Sequence, residues 1–211
     1  MNQAKAAFFD TMATRPWAAD PFPAGDRPKI DRLLTAGAIA PGAHVFEPGC
    51  GTGRLTEILA EAVDSTGRVL ALDISQKMVE ACRARLVRRE NVEIIQAAIE
   101  EYPVAPEAFD TCVCHQAFPH FDNPTAALAT CVRSLRRGGR LVVVHFANAQ
   151  VINEIHRTAA SPIRHDRVPP PPEMQRLLTQ AGLVVDWCAD DTLGYLVRGT
   201  KKCSFAGRAA G

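Results

Sequence analysis

The residues with the most chemical content fall between positions 45 and 73. VFEPGCGTGR (45–54) sets Gly49, Gly51 and Gly53 two positions apart, after a short apolar run and before an amphipathic one. Glycines so spaced let the backbone turn tightly and approach a ligand with no Cβ in the way. Asp73 closes a second apolar run, 20 positions after Gly53. An acid there can accept hydrogen bonds from ribose hydroxyls. A glycine turn followed by such an acid is the chemistry of nucleoside binding.

Two features choose among nucleosides. The spacing is G-x-G-x-G, not the dinucleotide fingerprint G-x-G-x-x-G. Glu47 also lies two residues before Gly49, at the mouth of the same loop. A carboxylate within about 4–6 Å of a pyrophosphate would repel it. S-adenosylmethionine carries a sulfonium and an ammonium and no phosphate, so the electrostatics favour it over NAD. A hydride-transferring oxidoreductase is the disfavoured alternative.

Histidines form a second group. CHQAFPHF (114–121) carries His115 and His120 at the end of a predicted strand, and His145 ends another. His156 and His165 fall in the stretch 148–172, which closes with Pro169 to Pro172. Ligands of open α/β sheets bind at the carboxyl ends of the strands. Three readings stay open: a general base at neutral pH, a set of ligands for a metal or a metal-bearing acceptor, and polar lining. His120 and His145 are the candidate bases. Cys112 and Cys114 share one face of a strand and are read as packed thiols, with no metal site expected. Tyr195 is read as packing.

These residues need elements to hold them. HVFEP (44–48), RVLALD (68–73), VEIIQ (92–96), FDTCVC (109–114) and RLVVVHF (140–146) read as buried strands, the last of them central. Helical stripes alternate with them: Ile30, Leu33 and Leu34, stopped by Gly37 and Pro41; Leu55, Ile58, Leu59 and Ala62; Met78, Val79, Cys82 and Leu86 behind a Ser75 cap. A further helix starts at Asn123-Pro124, carries Leu128, Cys131, Val132 and Leu135, and ends at Gly138-Gly139. Met174, Leu177 and Leu178 mark another, before two strands, LVVDWCA and LGYLVRG, on either side of Asp190-Asp191. The pattern predicts a doubly wound, Rossmann-like α/β fold: a mostly parallel seven-stranded sheet with an antiparallel C-terminal hairpin. Residues 1–211 read as a single domain. Arg15 to Pro28 is a Pro-rich loop within an N-terminal cap segment, 1–40, and 148–172 is a lid.

Composition narrows the function classes. The 211 residues are 47% hydrophobic, and 24 Lys plus Arg nearly cancel 23 Asp plus Glu. A net charge of +1 lacks the footprint of a general nucleic-acid binder. No apolar run approaches the roughly 18 residues of a membrane span. The N-terminus shows no secretion signal, and seven scattered cysteines suit the reducing cytoplasm. A small-molecule substrate is the expected partner; oligomeric state is not addressed.

With these motifs together, the chain resembles the class I S-adenosylmethionine-dependent methyltransferases over most of its length. The resemblance implies that the EPGCGTG loop, with Glu47, Gly49, Cys50, Gly51 and Gly53, holds the methionine part of the cofactor. It implies that Asp73 binds both ribose hydroxyls and that Ile74 and Met78 flank the adenine. Where the family often has an Asp facing the adenine amino group, this chain has Ala98; the backbone of Ala98 and Ile99, or Glu100, takes that place. His115 would lie near the sulfonium and His120 nearer the acceptor. FFDTMATRPW resembles a segment that folds over the cofactor in the small-molecule branch, with Phe8, Phe9 and Trp17 as apolar contacts. The Asp-Pro-Pro-Tyr type of motif that methylates base amino groups is not present. The implied activity is in-line methyl transfer to a small molecule. A non-catalytic cofactor-binding module, or an acceptor bearing a metal or metalloid held by the histidines, is the alternative.

Overall fold

The computed structural model describes residues 1–159 and 162–203. Its strands are β1 (His44–Pro48), β2 (Arg68–Asp73), β3 (Val92–Gln96), β4 (Phe109–His115), β5 (Leu135–His145), β6 (Leu183–Asp191) and β7 (Gly194–Lys201). They make one sheet in the order β3-β2-β1-β4-β5-β7-β6. The first five run parallel; β7 pairs antiparallel with both β5 and β6. The doubly wound reading holds, antiparallel edge included. β4, rather than β5, occupies the middle.

Strand alternation assigns the two sides of the sheet. Val45 packs with Leu33, Leu55 and Leu59, which come from α3 (Arg27–Gly37) and α4 (Arg54–Ala62). Phe46 faces the opposite side, with Leu128 of α6 (Pro124–Ser134) and Leu178 of α8 (Pro171–Gln180). Each such side chain, fully withdrawn from water, contributes about 1.5–3 kcal/mol. The order reverses between β1 and β4, and the carboxyl ends of these two strands diverge into the crevice where such folds bind ligands.

Some boundaries differ from the sequence expectation. Gly138-Gly139 does not end α6, which stops at Ser134; both glycines lie inside β5. The β4–β5 pairing jumps from Phe109↔Leu135 to Thr111↔Arg140, so extra β5 residues bulge out there. A Cβ on Gly139 would lie 2.8 Å from the Arg136 carbonyl oxygen, which is why a residue without one stands there. Asp190 and Asp191 pair with Tyr195 and Gly194 as the last rungs of β6, not as the turn. The Pro-rich stretch from Arg15 contains α2 (Pro16–Ala19) and a 3-10 turn at Ala24–Asp26. The stretch 148–172 holds α7 (Ala149–Thr158), and α8 begins inside its last prolines, as suits proline at a first helical turn.

The N-terminal segment is docked by specific bonds. α1 (Gln3–Met12) presents Asp10, whose Oδ1 accepts from Ser75 Oγ at 2.6 Å and from the Lys77 amide at 2.9 Å. It thus supplements the Ser75 cap of α5 (Gln76–Arg85). The carbonyls of Trp17, Ala18 and Ala19 accept from Arg54, Thr52 and Arg85. Asp10→Ala is expected to cost about 1 kcal/mol in urea unfolding. It should also speed amide exchange in residues 3–12 more than in β1 and β2, which exchange measured by mass spectrometry will show.

Candidate active site

The glycine turn is folded onto β2 by its own backbone. The amides of Gly49 and Cys50 both donate to the Leu72 carbonyl, at 2.7 and 2.8 Å. Asp73 then holds the turn by its side chain: Oδ2 accepts from the Gly51 amide at 2.9 Å and Oδ1 from the Ser75 amide at 2.8 Å. Burial raises the Asp73 pKa, and those two amide bonds oppose the rise. Gly51 stands at φ +54, and a Cβ there would meet nothing nearer than Met78 Sδ at 4.0 Å. The backbone at Gly51 is therefore bare toward open space.

That space is a cavity of about 780 Å³. On the β1–β2 side its wall is Gly49 to Thr52, Asp73, Ile74, Met78 and Ala97 to Glu100. On the β4–β5 side it is Phe22, His115, His120, His145, Phe146, Ile152, Ile155 and His156, with the charged Asp26, Lys29 and Arg54 beside them. Phe8, Phe9, Met12 and Trp17 close it from the N-terminal segment. Four of the six histidines thus gather at one sheet edge. His44 starts β1, whose carboxyl end borders the cavity, and His165 is exposed and outside the cavity wall.

The four imidazoles are not equivalent. Burial, with the Arg54 cation adding to it, pushes His115 down to about 3. Burial, with His115, His120 and His156 nearby, holds His145 well below the ordinary histidine value. Both are neutral at pH 7, and the Nε2 of each is buried with no hydrogen-bond partner. His115 packs among Phe22 and Phe146, with ring centroids at 5.8 and 4.5 Å. His120 differs: its Nδ1 lies 2.7 Å from Asp166 Oδ2. His156 Nδ1 lies 2.8 Å from the Asp166 carbonyl oxygen. The histidines do not gather as a metal-ligand set. Among the described residues, three ligand atoms come within 4.8 Å of one another only at Cys112, Cys114 and Cys131, which pack in the core between β4 and α6.

Two expected site residues stand elsewhere. Glu47 is not at the mouth of the turn. It shares a strand face with Val45 and points beneath α4, 1% exposed, with Thr56 Oγ1 donating to its Oε2 at 2.7 Å. Burial, only partly offset by the Thr56 bond, pushes its pKa up to about 8, so at pH 7 it is mostly a neutral acid. The repulsion argument against a pyrophosphate therefore loses its charge. Gly53 also lies off the cavity wall; a Cβ there would meet Cys82 Sγ at 2.7 Å. Cys50, Ile74, Met78, Ala98 and Ile99 all reach the wall. Glu100 reaches it too, but its Oε1 accepts from the Asp122 and Asn123 amides at 2.9 and 3.3 Å. Tyr195 packs out of reach of the cavity, fully buried. Asp166, Lys5, Asp10 and the aromatic pair Phe22 and Phe146 gave no signal in the sequence.

Known proteins resemble this chain in sequence and in fold. Residues 46–143 match a family described as a methyltransferase domain. A ubiquinone/menaquinone biosynthesis C-methyltransferase of Ectopseudomonas mendocina is 33% identical over 112 residues, 52% of this chain and 44% of that one. A malonyl-[acyl-carrier protein] O-methyltransferase of Paenibacillus is 30% identical over 161 residues, 70% of this chain and 58% of that one. A solved S-adenosylmethionine-dependent methyltransferase from Aquifex aeolicus superposes with a TM-score of 0.68 at 18% identity, covering 92% of this chain and 96% of that one. Residues 46–143 thus match a methyltransferase domain in sequence, and the sheet has the fold of that solved methyltransferase. It spans about half the length of the curated relatives it matches. The family match runs from Phe46 to Val143. It takes in the glycine turn, Asp73, His115 and His120, and stops short of His145, α7 and Asp166.

The buried acid gives a test. A carboxyl whose pKa is raised on folding stabilises most below its unfolded value, about 4.3. That stability is lost as pH rises toward 8. Glu47→Gln mimics the neutral form. It should match the wild type in urea unfolding near pH 5 and exceed it by about 2–4 kcal/mol at pH 8.5.

Proposed function

We propose that this protein transfers the methyl group of S-adenosylmethionine to a small, largely apolar acceptor. The observation that carries the reading is one cavity with two unlike walls: a bare glycine turn held by Asp73 on one side, and on the other mostly aromatic, aliphatic and neutral imidazole groups, with Asp26, Lys29 and Arg54 among them. The first wall fits the cofactor. Gly49, Cys50 and Gly51 would carry its amino-acid end, Asp73 its ribose hydroxyls, and Ile74, Met78, Ala98 and Ile99 its adenine. In this reading residues 1–211 are one domain, with 1–40 as cap and 148–172 as lid. The free thiols of all seven cysteines suit a cytosolic setting. Among the described residues no helix is long and apolar enough to cross a membrane.

S-adenosylmethionine, when bound, supplies a methyl group on a sulfonium that leaves as a neutral thioether. The chain's own task is alignment and exclusion of water, which can lower such a barrier by about 7–11 kcal/mol. Phe8, Phe9, Met12 and Trp17 cover the cavity from above. His115 would lie near the sulfonium. His120 is the base for an acceptor that must lose a proton; His145, also a candidate, is held neutral by burial and serves better as a hydrogen-bonding wall.

Calorimetry should show S-adenosylhomocysteine binding and NAD not. Gly51→Ala, which places a methyl in the open space above the turn, should weaken the homocysteine ligand at least about tenfold while the fold persists. NAD bound tightly with the homocysteine ligand ignored would overturn the reading. Cell extract incubated with protein and labelled cofactor should yield products heavier by CH2. His120→Ala is expected to slow their formation about 100- to 10,000-fold, and His145→Ala much less. Wild-type rates from His120→Ala would remove the base.

A further inference from the structure

We propose that Asp166 is the positioning residue of His120, fixing the imidazole with its proton on Nδ1 so that the Nε2 lone pair faces the cavity. The proposal rests on the methyl-transfer reading of that cavity. Asp166 stands in the connection between α7 and α8, and its carboxylate is almost enclosed. Oδ2 meets His120 Nδ1 at 2.7 Å, and Oδ1 accepts from Lys5 Nζ at 3.0 Å. Lys5 Nζ also donates to the His120 carbonyl at 3.0 Å, so α1, the β4 edge and the α7–α8 connection meet at one carboxylate. Asn153 of α7 secures that connection by bonding both the amide and the carbonyl of Val168, at 2.8 and 3.1 Å.

The chemistry of the pair dictates the tautomer. Burial raises the Asp166 pKa, but hydrogen bonds from His120 and Lys5 outweigh it and hold the carboxyl below the usual range. It is therefore ionised, and an ionised carboxylate only accepts. Nδ1 must then carry the hydrogen, which leaves Nε2 as the basic nitrogen. His120 makes no hydrogen bond through Nε2 among the described residues, and its ring lines the cavity beside Phe9. In the transfer, the acceptor's proton passes to Nε2 and its electron pair forms the bond to the methyl carbon. The methyl–sulfur pair leaves with sulfur. The imidazolium so formed is paired with Asp166.

The test is nitrogen-15 NMR of histidine-labelled protein, with the His120 signals assigned by their loss in His120→Gln. Two-bond proton–nitrogen spectra of the neutral ring should show hydrogen on Nδ1 and a lone pair on Nε2. In Asp166→Asn, Lys5 claims the amide oxygen and turns the NH2 toward His120, so the hydrogen should move to Nε2. In Asp166→Ala the Nδ1–H form should lose its majority. A wild-type ring protonated on Nε2 overturns the proposal even if neither variant folds; so does either variant that keeps the Nδ1–H form. S-adenosylhomocysteine calorimetry on the same samples separates the two failures. A wild type with the Nδ1–H ring that ignores the ligand sinks the methyl-transfer reading and leaves the pair standing.

Discussion

One carboxylate, Asp73, organises the floor of the site. Its two oxygens accept one amide from the glycine turn and one from the start of α5. The ends of β1 and β2 are thereby locked together where the sheet opens. Ser75, held by that bond, caps α5 and also donates to Asp10 of the N-terminal helix. The cap over the cavity is thus joined to the turn beneath it through three consecutive hydrogen bonds. Loosening Asp73 would free the turn, the helix and the cap together, since residues sharing one network act as a unit.

Polarity in the cavity follows from burial rather than from residue type. Histidine is the side chain that titrates near neutrality, yet two of the four here are kept uncharged by desolvation. Glu47 shows the same effect with the opposite sign, an acid kept neutral at pH 7. The charged groups of the β4–β5 wall, Asp26, Lys29 and Arg54, stand with Phe22 and Phe146 instead, Lys29 Nζ 5.9 Å from the Phe146 ring and the Arg54 guanidinium 3.9 Å from the Phe22 ring. The one histidine given an ionised partner is His120. The four imidazoles of one cavity thus differ in charge behaviour because their neighbours differ.

Much of this was legible in the chain, for definite reasons. β1 and β2 are short apolar runs with a carboxylate at or next to the last position, and their limits match residue for residue. The glycine turn and Asp73 were legible because their chemistry demands a fixed spacing. Glu47 was legible in position but not in direction: alternation along β1 puts it on the Val45 face, under α4. Gly138-Gly139 imitates a helix stop, and only the bulged register of β5 reveals its use. Asp166, Lys5 and Asp10 left no periodic trace. Each is a polar residue of ordinary surface type whose partner lies 46 to 161 positions away.

That distance explains why His120 was legible in the sequence while its partners Asp166 and Lys5 were not. The turn and Asp73 sit on consecutive strands of one βαβ unit, so local spacing encodes their geometry. The base and its carboxylate come from β4's edge and from a connection beyond α7, and Lys5 comes from the opposite end of the chain. Only closure of the sheet and docking of both flanks bring them within hydrogen-bond reach. The Asp166 carboxylate takes a bond from each flank, Lys5 of α1 and His120 after β4, so the geometry of the pair depends on both being docked.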